Sequence, residues 1–305
     1  MTTENLKHKQ EGVGLGRVMF LDGQGELPML EISTPWSTAE IYTHGAHVTR
    51  FQKSNEPGLL FVSQCSRFTE GQPIRGGVPI IFPWFGMREG LGQHGFARVT
   101  TWELKEFVPA ADGSVTVRWR LPECPEASTL PPFTAEYSVT VSECLTLELK
   151  VTNQSPDEPF PFESCLHTYL EVADVTAISI TGLKGTKYLD KVANFAKKTD
   201  ASANLRINSE VDRIYLDTTG PVELMDPRSR RRIRVEKRGS NSTVIWNPWI
   251  GKAQQMPDFG NDEYQRMVCI ESGNVAANQI TLAPGETSTL SVTISSEGLE
   301  NSGTR

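Results

Sequence analysis

Residues 145–152 have the sequence Leu-Thr-Leu-Glu-Leu-Lys-Val-Thr, in which every second side chain is apolar. Successive side chains of a β-strand point to opposite faces, so this alternation predicts a strand with one buried and one solvated face. The same period recurs at 115–121 and at 290–294, in runs that are rich in the β-branched residues that strands favour. The alternation therefore predicts a fold made mainly of strands.

Turn-forming dipeptides separate these runs, among them Asp22-Gly23, Asp112-Gly113 and Pro284-Gly285. Many short strands at such spacing are typical of a sandwich or a barrel. Helical periodicity is confined to short stretches, such as 190–198 and the turn around 125–130. No linker or low-complexity tract divides the 305 residues. We predict one domain over 1–305, a large antiparallel β-sandwich with frayed ends at about 1–12 and 297–305.

The charge balance narrows the classes of partner. Lys and Arg number 30 against 37 Asp and Glu, so the net charge is -7. That balance argues against general affinity for nucleic acid or for anionic membranes. A basic run at 228–238 alternates charges with Ile233 and Val235 after an Asp226-Pro227 turn. It predicts a hairpin strand with a solvated basic face, placed to protect an edge of the sheet.

The chain also lacks several targeting and cofactor signals. No stretch approaches the roughly 18 apolar residues that a membrane-spanning helix needs, and the N-terminal residues are polar. The five cysteines are far apart and form no Cys-x-x-Cys pair, which favours a reducing compartment over a disulfide framework or a zinc site. We expect a cytoplasmic monomer that binds neither nucleic acid nor a membrane.

Two glycine- and proline-rich segments carry candidate binding residues. Residues 73–79 have the sequence Pro-Ile-Arg-Gly-Gly-Val-Pro, and residues 93–98 have the sequence Gln-His-Gly-Phe-Ala-Arg. Gly76 and Gly77 beside Arg75 would let the backbone approach a ligand closely. The alternative is a rigid connection that lines the core, with Arg75 and Arg98 in ion pairs.

Two further segments place titratable side chains beside apolar ones. In the segment 160–170, His167 has the strand parity of Glu163 and Tyr169, which predicts either a polar pocket wall or a solvated face. Glu271 follows the apolar run that starts at Met267, so we expect its carboxylate to be partly buried. A buried carboxylate needs a partner or its pKa rises, so Glu271 is either a general base or the counter-ion of an arginine.

Together these segments resemble the hexose-6-phosphate mutarotases, also called glucose-6-phosphate 1-epimerases, of the galactose-mutarotase-like superfamily. The resemblance covers about 41–294 and rests on five segments: 73–79, 93–98, Leu166-His167-Thr168, 240–249 and Glu271. It implies a large antiparallel β-sandwich and a small-molecule sugar phosphate as substrate, with no metal and no cofactor. It also implies two catalytic residues, His167 and Glu271, and substrate-binding positions at Arg75, Gln93, Arg98 and Asp212. His94 either donates a hydrogen bond to a sugar hydroxyl or braces its loop.

The resemblance implies anomer interconversion, with Glu271 as general base and protonated His167 as general acid. We expect the carboxylate to raise the pKa of His167, and the two arginines to bind a phosphate on C6. Two other functions stay open: an aldose 1-epimerase acting on free galactose or glucose, and a sugar-phosphate-binding sensor without turnover. Four aromatic residues either pack on the sugar or belong to the core: Phe82, Trp84, Trp246 and Trp249.

Overall fold

The computed structural model describes residues 11–13 and 16–299. Strands hold 49% of the chain and helices 7%, which confirms an all-β fold. In chain order the strands are β1 (Glu11–Val13), β2 (Gly16–Asp22), β3 (Pro28–Ser33), β4 (Ser37–Tyr42), β5 (His47–Lys53), β6 (Ile80–Ile81), β7 (Met87–Arg88), β8 (Gly92–Gln93), β9 (Glu103–Pro109), β10 (Val115–Arg120), β11 (Phe133–Val141), β12 (Leu145–Asn153), β13 (Phe160–Phe162), β14 (Ser164–Leu166), β15 (Tyr169–Glu171), β16 (Ser179–Thr181), β17 (Lys187–Asp190), β18 (Ala196–Thr199), β19 (Val211–Leu216), β20 (Val222–Asp226), β21 (Arg231–Arg238), β22 (Ser242–Asn247), β23 (Met267–Asn274), β24 (Ile280–Leu282) and β25 (Thr287–Gly298).

Two eight-stranded sheets dominate the structure. One, called here the outer sheet, has the order β16-β20-β21-β25-β12-β11-β10-β9. The other, called here the site sheet, has the order β18-β17-β19-β22-β23-β14-β6, and β15 pairs with β23 beside β14. Strands β1 to β5 form a five-stranded sheet, and two strand pairs, β13-β24 and β7-β8, complete the sheets. All these strand pairs are antiparallel, as the sequence analysis predicted.

The outer sheet follows the alternation of its sequence. In β12 the side chains of Leu145, Leu147, Leu149 and Val151 are buried, while the residues between them are half-buried or exposed. One cluster of buried apolar side chains contains residues of β2 and β3, of the outer sheet and of the site sheet. Because apolar residues occupy every second position, each sheet has one apolar face, and that face is buried in this shared cluster.

Helices are few in the part of the chain that the structure describes. The single α-helix, α1, spans Trp249–Ala253, and 3₁₀ turns lie at Gln24–Glu26, Ala97–Val99, Pro125–Ala127, Glu263–Arg266 and Ala276–Asn278. A helix over 190–198 was the wrong prediction, because this stretch is the turn and second strand of the β17–β18 hairpin. No helix among the described residues is long and apolar enough to span a membrane.

The basic run forms a hairpin strand, as predicted, but does not lie at an edge. Strand β21 lies between β20 and β25. Its basic face is not wholly solvated, since Arg231 and Lys237 are buried. Arg231 donates hydrogen bonds to the carbonyl oxygens of Pro57, Gly58 and Glu171 and so fixes a neighbouring loop.

The strands also extend further toward the termini than the sequence suggested. Residues 11 and 12 lie in β1, and residues 297 and 298 lie in β25, where frayed ends were expected. Residue 299 follows β25. Residues 1–10 and 300–305, the rest of those predicted ends, lie outside the described residues.

Candidate active site

Glu271 lies at the centre of the site sheet. Strand β23 runs between β22 and the short strands β14 and β15, and all eight of its residues are buried. The Glu271 side chain is 1% exposed, and its Oε1 is 3.2 Å from Nε2 of His167. Its Oε2 accepts a hydrogen bond from the thiol of Cys165 at 3.5 Å. The carboxyl group is therefore held in one orientation with one oxygen toward the imidazole.

His167 lies in the break between β14 and β15. Its backbone N–H donates to the carbonyl of Pro79, and its ring stacks on Tyr169 with centroids 4.8 Å apart and planes 16° from parallel. The edge of Trp246 lies 6.0 Å from the imidazole. These contacts fix the ring beside Tyr169, and the burial of both side chains favours the polar-wall alternative for this segment over the solvated face. Glu163, which it placed on the same face, instead accepts the backbone N–H groups of Phe85 and Ala276.

Glycines allow the two glycine- and proline-rich segments, 73–79 and 93–98, to pack closely against neighbouring backbone. Gly77 has a φ of +60°, and a Cβ there would be 2.2 Å from the carbonyl oxygen of Val48. Gly95 has a φ of +68°, and a Cβ there would be 1.9 Å from the carbonyl oxygen of Phe82. Gly76 and Gly77 were expected to let the backbone approach a ligand. In the structure the close approach is to the protein's own backbone.

The guanidinium of Arg75 is ion-paired within the protein. Its guanidinium donates to both carboxylate oxygens of Asp258, at 3.0 Å for the shortest contact, and to the hydroxyl of Tyr169 at 3.1 Å. Burial opposes the charge of Arg75, but Tyr169 and Asp258 outweigh that effect and raise the pKa of the guanidinium. The predicted ion pair thus exists for Arg75.

Arg98 has no such partner. Its side chain is buried, and its Nη2 donates to the backbone carbonyl of Gln93 at 2.8 Å. Among the residues that the structure describes, no carboxylate lies within ion-pair distance of it, and its Nε has no acceptor. Burial and the nearby charge of Arg75 lower the pKa of Arg98 to about 10. Gln93 itself is exposed on β8, and its contribution here is the carbonyl oxygen.

His94 lies beside His167, with ring centroids 5.9 Å apart. Its Nδ1 accepts the backbone N–H of Gly86 at 3.1 Å, and its own backbone N–H donates to the carbonyl of Gly86. Because Nδ1 accepts, the neutral ring carries its proton on Nε2, which remains a free donor. The two roles predicted for His94 are therefore compatible: one nitrogen braces the loop and the other is available to a ligand.

Asp212 lies on β19, opposite Trp246 of β22. Its carboxylate pairs with the ammonium of Lys191 at 2.7 Å. Both groups are close enough to Glu271 for their charges to affect it. Asp212 thus lies near Glu271, while Arg75 and Arg98 lie near enough to the adjacent His167 for their charges to act on it.

The protonation of the His167–Glu271 pair differs from the expectation. Burial lowers the pKa of His167 well below 6.5, and the charges of Arg75 and Arg98 lower it further. Burial also raises the pKa of Glu271 well above 4.5, and the carboxylate of Asp212 adds to that effect. A raised pKa for His167 was therefore the wrong prediction, because desolvation and two guanidinium groups disfavour the protonated imidazole. Both shifts favour the proton of the pair on Glu271.

The predicted aromatic contacts divide between pocket and core. Phe82 and Trp84 belong to the main core cluster, and Trp249 packs on Tyr264 with centroids 5.2 Å apart. Trp246 alone of the four has its ring against His167 and Tyr169. The core alternative is therefore the observed one for three of these side chains.

One group of side chains within the described residues has donor atoms suited to a metal ion. Atoms of His167, Cys269 and Glu271 lie within 4.8 Å of one another. The positive charges of Arg75, Arg98 and Lys191 surround the same atoms and oppose the binding of a cation.

Sequence reasoning missed Lys191, Asp258 and Cys269. A usable signal existed only for Cys269, which has the strand parity of Glu271 two residues later. Lys191 was hidden in the stretch taken for a helix. Asp258 lies in an irregular segment after α1, where no periodicity assigns it to Arg75.

A family model described as aldose 1-epimerase matches residues 28–295, which is most of the chain. The chain belongs to the aldose 1-epimerase family. Membership confirms the resemblance seen in the sequence and the sandwich fold that it implied. It also identifies the protein as an isomerase that acts on a small sugar.

Several members of this family are similar over most of their length. A protein of Cenchrus ciliaris, provisionally named a glucose-6-phosphate 1-epimerase, is 34% identical over 81% of this chain and 78% of its own. A protein of Escherichia coli K12 with the same provisional name is 31% identical over 83% and 85%. A crystal structure from Salmonella typhimurium, provisionally described as a mutarotase, superposes with a TM-score of 0.85 at 27% identity, covering 97% of this chain and 98% of that one.

Proposed function

We propose that this aldose 1-epimerase family member interconverts the α and β anomers of a hexose 6-phosphate, with D-glucose 6-phosphate as its substrate. The observation that carries the proposal is the close pair of His167 Nε2 and Glu271 Oε1, 3.2 Å apart, near a buried arginine without a carboxylate partner. The first feature supports proton transfer at C1 and the ring oxygen, and the second supports binding of an anion. The provisional names of the relatives from Cenchrus ciliaris and Escherichia coli agree with the phosphate.

The reaction needs one base and one acid. Glu271 takes the proton of the C1 hydroxyl, the electrons of that O–H bond form the carbonyl, and the bond from C1 to the ring oxygen breaks as His167 protonates that oxygen. Rotation about the C1–C2 bond then presents the other face of the carbonyl. The new hydroxyl attacks this face and returns its proton to His167, while Glu271 returns a proton to the carbonyl oxygen. A positioned acid or base contributes about 10²–10⁴-fold to the rate.

The substrate's phosphate would also prepare the pair for this reaction. The positive charges of Arg75 and Arg98 are the main electrostatic reason, after burial, that His167 is neutral in the free pocket. A bound phosphate dianion offsets those charges, so it favours transfer of the proton from Glu271 to His167 over the 3.2 Å that separates Oε1 from Nε2. The pair then has the charges that ring opening requires.

Arg98 is the residue that we assign to the phosphate, because Arg75 already holds Asp258. A charge-assisted hydrogen bond contributes about 1.5–3 kcal/mol, or roughly 10–150-fold in affinity. Gln93 fixes the guanidinium through its carbonyl, and Arg75 contributes mainly by its position beside Tyr169. His94 and Asp212 are assigned to the sugar hydroxyls.

The test is magnetisation exchange between the anomeric protons of glucose 6-phosphate, glucose and galactose, with and without protein. We expect faster exchange for the phosphate ester, and Arg98→Ala to raise its KM about 10–150-fold with little change on free glucose. Arg88→Ala is the matched control, because Arg88 is an exposed guanidinium over Trp84 on the nearby β7–β8 hairpin.

The other outcomes identify the alternatives. Equal losses on phosphorylated and free sugars in Arg98→Ala would contradict the phosphate assignment. Exchange that is faster on free sugars would assign the protein as an aldose 1-epimerase of galactose or glucose. Binding of glucose 6-phosphate without exchange of any sugar would assign it as a sensor.

We also propose that the protein works as a cytoplasmic monomer. Its five cysteines are free thiols, which a reducing compartment preserves.

A further inference from the structure

The order of strands in the site sheet arranges the charged groups of the pocket in a line. Asp212 lies on β19, Glu271 lies two strands further on β23, and His167 follows β14, the next strand. Arg75 donates to the hydroxyl of Tyr169 on β15, which pairs with the same edge of β23 as β14 does. Lys191 follows β17 and so lies at the opposite end from the arginines. The pocket therefore has a Lys191–Asp212 side and an arginine side, with the acid–base pair between them.

The distances across this line suit a hexose phosphate. Neighbouring strands lie about 4.8 Å apart, so β19 and β23 are roughly 10 Å apart, and the side chains of Lys191 and Asp212 shorten that gap. The electrostatic neighbours agree with the line. Asp212 and Lys191 are the charged groups that act on Glu271, whereas Arg75 and Arg98 act on His167 more strongly than Lys191 does.

The Lys191 ammonium is held in place but does not use all of its hydrogen-bond donors. One of its three N–H donors contacts the carboxylate of Asp212 at 2.7 Å, and its backbone N–H donates to the Asp212 carbonyl at 2.9 Å. The ammonium also lies 5.6 Å from the ring centre of Phe85, whose other neighbour is His94. Within the described residues no second acceptor contacts Nζ. Two donors therefore point from a fixed position at the pocket rim, where the side chain is 26% exposed.

The covalent order of a hexose 6-phosphate indicates what those donors meet. The phosphate is attached through C6 to C5, and the ring continues through O5 and C1 to C2. If the phosphate lies at Arg98 and the reacting O5 and C1 lie at His167 and Glu271, the next carbon away from the phosphate is C2. The C2 hydroxyl then lies on the side of Glu271 where Lys191 is found.

We propose that Lys191, held in place by Asp212, donates a hydrogen bond to the C2 hydroxyl of the sugar and so makes the enzyme selective for the configuration at that carbon. The inference rests on the proposed function, because it takes the orientation of the sugar from the phosphate and the reacting atoms. It adds a specificity-determining residue that is not one of the acid–base pair.

The test is a cycle of two proteins and two substrates. Anomeric exchange is measured for the wild type and Lys191→Met, each with glucose 6-phosphate and with 2-deoxyglucose 6-phosphate. For glucose 6-phosphate we expect Lys191→Met to lower kcat/KM about 10–150-fold, the range for a charge-assisted hydrogen bond. With the 2-deoxy sugar the variant should lose little, since the hydroxyl is already missing. Mannose 6-phosphate, the C2 epimer, should lose most of its disadvantage in the variant.

Lys198→Met is the matched control. Lys198 lies on the same hairpin and has the same kind of ion pair, to Asp190 at 2.6 Å, but it is an exposed side chain of β18, the edge strand. Lys198→Met should leave the exchange rate with each of the two substrates equal to that of the wild type. Equal losses with both substrates in Lys191→Met would overturn the proposal. A loss seen with glucose 6-phosphate but absent with free glucose would also overturn it, by assigning Lys191 to the phosphate.

Calorimetric binding separates this proposal from the proposed function. The dissociation constants of the same two sugar phosphates are measured for wild type and Lys191→Met. If the wild type binds but does not exchange the anomers, the proposed function fails, and the difference between the two sugars in binding still tests the role of Lys191. A cycle in binding that shows no coupling between Lys191 and the C2 hydroxyl would overturn the inference whatever the activity.

Discussion

Strands β12 and β23 are similar in length and lie in the two large sheets, yet they are buried in different ways. In β12 the buried residues alternate with half-buried and exposed ones, whereas in β23 all eight residues are buried. The polar residues of β12 are half-buried or exposed threonines and charged side chains, apart from the buried Asn153 at its end. Those of β23 include Glu271, Ser272 and Asn274, each at most 2% exposed.

The difference shows which residues each kind of strand requires. A strand with one wet face needs only apolar residues at every second position, and many sequences satisfy that requirement. A polar residue buried on a strand with no wet face must have partners, since an unpaired one costs about 1–3 kcal/mol or more. Asn274 meets this need by donating to the carbonyl of Gly239, and Glu271 meets it with His167 and Cys165.

The largest expected effect comes from Glu271→Gln in β23. The change keeps the shape but removes proton transfer, so exchange of glucose 6-phosphate anomers should fall about 10²–10⁴-fold. Thermal stability should hardly change, because the pKa of Glu271 is raised and its protonated carboxyl resembles an amide. Glu148→Gln in β12 is the control and should leave exchange unchanged. A residual rate near that of the wild type would show that the two strands do not differ in function.

Leu149→Ala should show the opposite pattern in β12. Leu149 is 1% exposed, and its truncation should lower the free energy of unfolding by about 2–5 kcal/mol through the cavity that it leaves. The rate per folded molecule should stay near that of the wild type. Denaturant unfolding followed by anomer exchange on the folded fraction checks both. An activity loss much greater than the folded fraction explains would show that the outer sheet controls the pocket.

Lys237→Met tests a buried lysine that links the two large sheets. Lys237 lies on β21, and its ammonium donates to Thr218 and to Ser242 and Thr243 of β22. Burial lowers the pKa of Lys237 from 10.5 to about 7. Between pH 7 and 10 the unfolded chain therefore holds more protons on this amine than the folded chain does, and folded-state stability rises with pH.

The variant lacks this dependence. The wild type should thus gain stability relative to Lys237→Met as pH rises from 7 to 10, by up to about 4 kcal/mol. Unfolding free energies of both proteins across that range give the difference. Parallel curves would mean that the lysine is equally protonated in the folded and unfolded states.

The smallest effect is expected from Arg234→Ala on the solvated face of β21. Arg234 pairs with Glu223 and Glu236, and its side chain is 39% exposed. Solvent screens exposed pairs of this kind, so the unfolding free energy should change less than for any other variant named here, and exchange should not change. A loss comparable to that of Leu149→Ala would place the arginines of the outer sheet among its stabilising residues.

The same comparison explains what could be predicted from the sequence. The strands of the outer sheet were predictable because one-sided burial leaves a visible period of two, as in Leu145–Asn153. The stretch 190–198 was misassigned because its alanines and lysines suit a helix locally, while pairing of Lys187 with Thr199 fixes a hairpin. Strand β23 shows no alternation, so periodicity did not identify Glu271. Its place after an apolar run made it a candidate, and resemblance to a family implied its catalytic role.

Three properties of the pocket could not have been predicted from the sequence. The ion pair of Arg75 with Asp258 joins positions 183 residues apart, and no pattern assigns that partner. Nor does any sequence pattern show that Arg98 has no carboxylate partner. The lowered pKa of His167 depends on the depth of the pocket and on two guanidinium groups, which only the folded chain brings together.

The close contacts of Gly77 and Gly95 have a consequence for binding entropy. Side chains cannot be accommodated there because carbonyl oxygens of Val48 and Phe82 lie against the loops, so the loops move only with the sheets. Arg75 and His94 are therefore in place before a sugar arrives. Ordering a loop costs affinity in many enzymes, but here the cost is met when the chain folds, and each hydrogen bond to the sugar counts almost fully toward affinity.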